Sequence, residues 1–285
     1  MTQDGHAAPA APQVPYDKRK LSYANTFENP AQRAVIRGME WATGKLTLLR
    51  LVRKFERMGP AEGQAFWAQA LGLMRITLET PEAEIARIPR TGPLVIVANH
   101  PHGLVDGMVL AELIGRVRQD YKILTRSLLT GVDEVARFMI PVPFPHEPNA
   151  KALGLRMRAE AMAHLAEGGV IALFPAGSVA QAQSAFGPVV EADWLPFTAT
   201  LIQRSGATVL PIRFPGRNSR AYQIAANLSP VLRQGLLIHE VVAACGAPQA
   251  PIVGQPIAPD ALPLGTDGPR GFVARLRATT LALER

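Results

Sequence analysis

One stretch, residues 94–108, constrains the fold of this 285-residue chain more than any other part. It begins with the apolar run Leu94–Ala98, which indicates a buried β-strand. Pro101 and Gly103 then force an irregular turn, and an apolar periodic segment after Gly107 indicates a helix. Because ligands bind at the carboxyl ends of strands in open α/β sheets, polar residues on this turn are candidates for a functional site.

The turn carries His100 and Asp106. Histidine acts as a general base near neutral pH, and a carboxylate bonded to its other ring nitrogen fixes the tautomer and stabilises the imidazolium. Two interpretations remain open from these residues alone. Either His100 and Asp106 form a catalytic pair, or Asp106 only caps the helix and His100 and His102 are surface residues of the loop.

Strands and helices alternate along the rest of the chain. Apolar runs predict further strands at 121–125, 138–144, 170–174, 208–214 and 252–257, and periodicity predicts helices at 149–167, 195–204 and 272–284. This order predicts an α/β fold with a mostly parallel sheet flanked by helices. The chain shows no internal repeat and no second core.

The N-terminal part differs in composition. Residues 1–16 are predicted to be a disordered tail, residues 17–80 a helical region, and residues 81–285 the main domain. Helices are predicted at 31–58 and 61–79. In the helix predicted at 31–58, apolar residues with a 4-3-4-3 spacing predict one apolar face. They are Val35, Met39, Ala42, Leu46 and Leu49.

Positive charge is concentrated in the same region. The formal net charge is +7, and residues 17–58 hold ten Lys and Arg against four Asp and Glu. A basic amphipathic helix is typical of proteins that bind an anionic membrane surface. The alternative is a helix that packs on the core and presents a solvated basic face. The basic residues are not interleaved with exposed aromatic residues, so no nucleic-acid partner is expected.

Two exclusions follow from the composition. The single cysteine, Cys245, excludes an intrachain disulfide. Apolar runs stay well short of the roughly 20 residues that a spanning helix needs, so the chain is not expected to cross a membrane by a simple helix.

Two more junctions resemble the first in position. Phe174, Pro175, Gly177 and Ser178 follow the strand at 170–174, and glycine lets a ligand approach backbone N–H groups that can hold an anion. Taken alone this is a weak signal, because most turns of this composition bind nothing.

The third junction follows the strand at 208–214 and carries polar residues: Arg213, Arg217, Asn218 and Ser219. Arginine is suited to phosphate and carboxylate recognition. The alternative is an ordinary polar loop.

Residues 99–107, Asn-His-Pro-His-Gly-Leu-Val-Asp-Gly, resemble the first motif of the lysophospholipid (glycerolipid) acyltransferase superfamily. Residues 174–178 resemble its Phe-Pro-Glu-Gly-Thr motif, and residues 209–212 resemble its late Val-Pro-Val strand. The closer resemblance is to a hemolysin-like bacterial branch that includes the O-acyltransferases of ornithine-lipid synthesis. That branch shows Phe-Pro-Ala-Gly and Gly-Arg-Asn-Ser, found here at 174–177 and 216–219, and residues 232–240 also look like it.

The resemblance, which covers about residues 85–260, implies an O-acyltransferase. The donor would be an acyl thioester on acyl carrier protein or coenzyme A, and the acceptor a lysolipid hydroxyl, on lyso-ornithine lipid or a lysophospholipid. His100 would be the base and Asp106 its partner. Neither a metal nor a redox cofactor is implied, and the expected location is peripheral, on the cytoplasmic face of the inner membrane.

By the same resemblance, several residues would bind substrate. They are Asn99, His102, Gly103, Arg126, Phe174, Pro175, Gly177, Ser178, Arg213, Arg217, Asn218 and Ser219.

Two positions depart from the superfamily pattern. Five residues separate His100 from Asp106 where the superfamily has four, although the hemolysin-like branch shares the longer spacing. His100 is therefore taken as the base and His102 as the second choice. Ala176 replaces a Glu that normally helps to hold a glycerol-type acceptor, so the acceptor pocket is not expected to fit glycerol 3-phosphate.

Two rival functions remain. The first is a metal-dependent hydrolase that uses His100, His102 and Asp106, with His146 or His239 as a further ligand. The second is a non-catalytic peripheral lipid-binding protein, for which the basic amphipathic N-terminal region would suffice.

Overall fold

The computed structural model describes residues 16–17, 19–126, 132–143, 147 and 149–285. The predicted tail therefore lies outside the described residues except for Tyr16, and so do Lys18, Phe144 and His146.

A six-stranded sheet forms the centre of the fold. Its strands are β1 (Leu94–Ala98), β2 (Tyr121–Thr125), β3 (Met139–Pro141), β4 (Val170–Leu173), β7 (Thr208–Arg213) and β8 (Ile252–Val253). They lie in the order β3-β2-β4-β1-β7-β8, and only β8 runs antiparallel to its neighbour. A separate hairpin pairs β5 (Gln181–Ala182) with β6 (Val189–Val190). The predicted α/β fold with a mostly parallel sheet is confirmed.

Helices cover both faces of the sheet. They are α1 (Pro30–Thr43), α2 (Lys45–Met58), α3 (Ala65–Leu73), α4 (Glu82–Ile85), α5 (Leu104–Gly115), α6 (Ala150–Ala166), α7 (Phe197–Ser205), α8 (Arg220–Leu228), α9 (Pro230–Gly235), α10 (Leu237–Ala243) and α11 (Gly268–Leu281). The five residues of β1 are all buried, and they alternate between an apolar cluster under α3 and α5 and another under α6, α7 and α11. Burial on both faces explains why the strand has no polar residue.

The helix predicted at 31–58 is two helices that meet at Gly44. A Cβ at Gly44 would lie 3.2 Å from the Ile238 carbonyl oxygen, so the close approach of α10 requires glycine there. The predicted apolar face does not continue through this break: Val35 on α1 and Leu46 on α2 are both exposed, and Ile36 is the fully buried apolar residue of α1.

Other element ends differ from the prediction because of tertiary pairing. The helix predicted at 61–79 ends at Leu73, since Leu78 forms a bridge with Gln249 and takes this segment out of the helix. The strand predicted at 252–257 is paired only at Ile252–Val253, with a separate bridge from Ile257 to Val209. Across the described part of the chain, every helix is too short or too polar to traverse a bilayer.

The register of the sheet brings the three predicted junctions together. Val97 of β1 pairs with Leu173 of β4, and Ala98 pairs with Ile212 of β7. Because these strands are parallel and β1 lies between β4 and β7, the segments that follow β4 and β7 each leave the same end of the sheet about one strand spacing, roughly 4.8 Å, from the segment that follows β1.

Candidate active site

The Asp106 carboxylate holds both histidines of the turn. Its Oδ2 lies 3.0 Å from His100 Nδ1, and its Oδ1 lies 3.0 Å from His102 Nδ1. Since a carboxylate only accepts, we assign the proton to Nδ1 of each ring, which leaves each Nε2 free to act as a base. The structure therefore brings His100 and Asp106 together as the sequence predicted. It also shows that the His102 ring contacts the same carboxylate at the same distance.

The same carboxylate also caps α5. Oδ2 accepts the main-chain N–H of His102 at 2.8 Å and that of Gly103 at 3.0 Å. Gly103 is the N-cap and has φ +83°, a conformation that favours glycine. The interpretation that Asp106 only caps the helix is therefore wrong, because one buried side chain caps the helix and holds the two rings, and the catalytic role of the pair stays a prediction.

The contacts set the charge of this cluster. Burial alone would raise the pKa of Asp106, but hydrogen bonds from His100 and His102 and their positive charge outweigh it and lower the pKa below its usual value. Burial would lower the pKa of His102, whereas the bond to Asp106 and the negative charges of Asp106 and Glu240 raise it above its usual value. The contacts therefore favour the ionised form of Asp106.

His100 is held from both sides. Its ring stacks on Phe174, with centroids 4.0 Å apart. The preceding residue, Asn99, is buried, and its side chain donates to the Phe214 carbonyl at 2.9 Å and accepts the Phe214 N–H at 2.7 Å. Asn99 therefore fastens the end of β1 to the end of β7, and Phe174 contributes from the end of β4.

Sequence reasoning missed Glu191. Its buried carboxylate accepts the main-chain N–H of His100 at 3.2 Å and the indole N–H of Trp194 at 3.3 Å. Burial raises the pKa of Glu191, opposed by these hydrogen bonds and by the charge of His100. Glu191 lies 91 positions after His100 and in no motif, so no spacing signal could have linked the two.

The Gly-Arg-Asn-Ser segment surrounds His102. Gly216 has φ +94°, and a Cβ there would lie 2.8 Å from His102 Nε2. Ser219 caps α8 by accepting the Tyr222 N–H, and its own N–H and hydroxyl donate to Glu240. Asn218 is buried. In this arrangement Ser219 and Asn218 have positions inside the fold, next to the histidine cluster.

The three predicted anion-binding arginines have different surroundings. Arg213 donates from its guanidinium to the Leu283 carbonyl at 2.6 Å, which ties β7 to the chain after α11. Arg217 is exposed on the loop beside His102. Arg126 follows β2 at the mouth of a different cavity, where Glu147 is a charged neighbour. The structure thus does not gather these three side chains into one anion site.

The segment after β4 turns tightly over the site. Pro175 and Ala176 are buried, and Gly177 and Ser178 are exposed. The Pro175 carbonyl accepts the Leu195 N–H at 2.9 Å, and Gly177 has φ +65°. Ala176 packs in the apolar cluster that includes Trp194, so the position of the missing Glu is surrounded by apolar side chains.

An apolar cavity of about 140 Å³ lies beside the start of α5. Leu104 and Met108, which follow directly after the histidine turn, line one end, and residues of α2 and α3 such as Leu51, Phe55 and Phe66 line the rest. The wall is almost entirely apolar.

The remaining predicted metal ligands do not join the cluster. The His239 ring contacts the Thr43 carbonyl at 3.3 Å, and His146 lies outside the described residues. Among the residues that the structure describes, His, Cys, Asp and Glu form no group of three or more arranged to hold a metal ion.

Comparison with known proteins places this site in context. The chain is 26% identical over 149 residues to a lyso-glycine lipid O-acyltransferase of Phocaeicola vulgatus, and 27% identical over 150 residues to one of Bacteroides thetaiotaomicron. These alignments cover 52% of this chain and 51% and 52% of those proteins, so the chain spans about half the length of the curated relatives it matches.

Among solved structures, the 1-acyl-sn-glycerophosphate acyltransferase PlsC of Thermotoga maritima is similar with a TM-score of 0.49 and 16% identity, over 78% of this chain and 79% of that one. The profile of a protein family described as Acyltransferase matches residues 51–242, a span that includes all three strand-end junctions. The chain belongs to this acyltransferase family.

Proposed function

We propose that this protein is a lysolipid O-acyltransferase that moves an acyl group from an acyl thioester, on acyl carrier protein or coenzyme A, to a lysolipid hydroxyl. The observation that carries the proposal is the 3.0 Å contact between His100 Nδ1 and a fully buried Asp106 at the end of the central strand. The names of the two relatives, both lyso-glycine lipid O-acyltransferases, support a lysolipid acceptor.

The proposed reaction uses His100 Nε2 as the base. His100 takes the proton from the acceptor hydroxyl, and the oxygen forms a bond with the thioester carbonyl carbon. Asp106 stabilises the imidazolium that results, as it is hydrogen-bonded to the other ring nitrogen. When the tetrahedral intermediate collapses, the C–S bond breaks and the imidazolium returns its proton to the leaving thiolate. His100 ends neutral, ready for the next cycle.

The apolar cavity beside α5 supports a fatty acyl substrate. Leu104 and Met108 line it and lie on the first turn and a half of the helix whose N-terminus carries Asp106. An acyl chain that entered there would keep its thioester near the histidine cluster. Each buried CH₂ contributes about 0.8 kcal/mol, so such a wall favours a long chain over a short one.

The surroundings of Ala176 support a lysolipid over glycerol 3-phosphate as the acceptor. Ala176 is buried among apolar side chains and offers no hydrogen bond. The lost polar contact costs about 0.5–1.5 kcal/mol if neutral, and more if charged. Lyso-ornithine lipid and lysophospholipids remain the proposed acceptors, together with lyso-glycine lipid as named in the relatives.

The outer surface of α1 and α2 supports peripheral binding to an anionic membrane, which we place at the cytoplasmic face of the inner membrane. Exposed apolar side chains, Val35, Trp41, Leu46 and Met58, occur on these two helices. The basic face of α2 consists of four exposed cations: Arg50, Arg53, Lys54 and Arg57. Each such cation contributes about 1 kcal/mol near an anionic lipid surface.

A competition assay with the purified full chain tests the acceptor. One acyl thioester, offered as CoA and as acyl carrier protein, is supplied with glycerol 3-phosphate, lysophosphatidic acid, lyso-ornithine lipid and lyso-glycine lipid. Thiol release and mass spectrometry of the product give kcat/KM for each pair, and His100→Ala is the inactive control. A lysolipid is expected to have the highest value. If glycerol 3-phosphate has it, our interpretation of Ala176 is wrong. If the wild type acylates none of them, a lipid-binding role without catalysis is favoured.

A further inference from the structure

Glu191 is a buried carboxylate for which the proposed reaction has no use. It follows β6 in the long connection between β4 and α7, and only 6% of the residue is exposed. Burying an ionisable group costs free energy unless its partners compensate, and an apolar residue would fill the same space at lower cost. The presence of the Glu191 carboxylate next to the His100 turn therefore points to a role of its own.

The hydrogen bonds of Glu191 fix the main chain of His100. One carboxylate oxygen accepts the His100 N–H, and the other accepts the Trp194 indole N–H. The His100 carbonyl accepts the Ala180 N–H at 2.8 Å, from the same β4–α7 connection. That connection thus binds His100 through both its donor and its acceptor, which leaves the ring little freedom to move relative to Phe174 and Asp106.

The connection is itself anchored to the last helix. Arg277 of α11 donates from its guanidinium to the main-chain carbonyls of Glu191 and Ala192. Arg277 therefore holds the backbone on which the carboxylate is mounted. The charges of His100 and Asp106, both from the β1–α5 segment, act on the Glu191 carboxylate, whereas Arg277 contacts its main-chain carbonyl.

We propose that Glu191 is a positioning residue that holds His100 through its main-chain N–H. The proposal rests on the proposed function only in that His100 serves there as the base. Loss of Glu191 should therefore let the ring depart from its working position.

The test compares Glu191→Gln with Glu84→Gln in the full chain. Glu84 is a matched control, because it is another buried carboxylate that accepts a main-chain N–H, from Val253 at 3.0 Å, and its carboxylate also pairs with Arg285. Both substitutions keep the size of the side chain and remove one charge. Both are expected to lower the unfolding temperature.

The decisive readout is the NMR signal of the His100 ring Cε1–H, assigned by its loss in His100→Gln. Because this ring stacks on Phe174 with centroids 4.0 Å apart, the signal reports movement of the ring relative to Phe174. In Glu191→Gln the signal is expected to move away from its wild-type position, and in Glu84→Gln to superimpose on wild type. A signal of Glu191→Gln that superimposes on wild type would overturn the proposal.

Kinetics give a second, separate readout. With an active acceptor, Glu191→Gln is expected to lower kcat by about 10- to 100-fold with little change in KM. If the wild type transfers no acyl group while the NMR shift is present, the proposed function fails and the assignment of Glu191 stands.

If Glu191→Gln does not fold, Glu191→Asp keeps the charge but shortens the side chain by one methylene. The NMR signal of the His100 ring is then expected to move from its wild-type position and kcat to fall, because the shorter side chain no longer reaches the His100 N–H. A signal of Glu191→Asp that superimposes on wild type would contradict the assigned positioning role.

Discussion

Replacement of Asp106 by Asn separates the charge of this residue from its shape. Asp106 Oδ2 accepts three N–H groups, from the His100 ring and from the main chains of His102 and Gly103, whereas Oδ1 accepts only from the His102 ring. The amide oxygen of Asn should therefore occupy the Oδ2 position, because an NH₂ group there would face three donors. The α5 cap and the His100 contact would survive, and His102 would have to change its tautomer.

The loss of charge sets the expected magnitude. With the ring and carboxylate charge centres about 5 Å apart and an effective dielectric constant of about 20, an imidazolium–carboxylate pair is stabilised by roughly 3 kcal/mol. Since about 1.4 kcal/mol corresponds to tenfold in rate, kcat of Asp106→Asn should fall by roughly 100- to 1,000-fold. KM should change little, because the imidazolium forms only as the reaction proceeds.

The assay measures thiol release from the acyl thioester with saturating lysolipid, alongside thermal unfolding. Asp106→Ala is the comparison, since it also removes the four hydrogen bonds and leaves buried donors unpaired, at about 1–3 kcal/mol each. Asp106→Asn should thus unfold nearer to wild type than Asp106→Ala does. Should Asp106→Asn keep more than about a third of the wild-type kcat, the pairing of His100 with Asp106 is not catalytic.

Four further outcomes are expected. His100→Ala should lose about 10²- to 10⁴-fold in kcat and His102→Ala much less, and the reverse order would make His102 the base. Replacing Lys54 and Arg57 of the basic face of α2 by Gln should weaken binding to anionic vesicles and its salt dependence, whereas replacing the equally exposed Lys151 and Arg204 by Gln should not. Indistinguishable sedimentation of the two variants with vesicles would refute this. Gly216→Ala should cost about 1–3 kcal/mol of unfolding free energy and lower kcat, because Gly216 has φ +94° and the alanine Cβ would meet the His102 ring. An unchanged denaturant midpoint and an unchanged rate would contradict this. Because the pKa of His102 is raised in the folded protein, its protonated ring stabilises the fold below the unfolded pKa, and this stabilisation is lost as the pH rises. The difference in unfolding free energy between wild type and His102→Gln should therefore shrink from about pH 6 to about pH 8. A constant difference would be evidence against the ion pair with Asp106.

The parts of the site that the sequence predicts are those encoded within a short stretch. Strand β1 is a continuous apolar run because both its faces are buried, and His100 and Asp106 follow it within one turn. The short spacing between His100 and Asp106 is therefore enough to predict that they are close. Likewise, the alternation of apolar runs with helices predicts that β1, β4 and β7 are parallel.

Contacts between distant segments lie beyond that kind of reasoning. The orientation of Arg213 depends on where the chain after α11 ends up, since its guanidinium binds the Leu283 carbonyl. Likewise, Gly44 divides the predicted N-terminal helix because α10 packs against it. In each case the contacting residue is 70 or more positions away in the sequence. The identity of Arg213 or Gly44 alone therefore does not predict the contact.

The position of Glu191 gives these long-range contacts a chemical consequence. Burial disfavours a negative charge on Glu191 while His100 is neutral, and a positive His100 favours it. Asp106 is already matched by His102, whose pKa is raised by that same carboxylate. In the proposed reaction, the proton that His100 takes from the acceptor would favour the charged form of Glu191, which also holds the His100 main chain. A substitution at Glu191 should therefore lower kcat through the position and surroundings of His100, whereas Glu84→Gln, which removes a buried carboxylate elsewhere, should lower only the unfolding temperature.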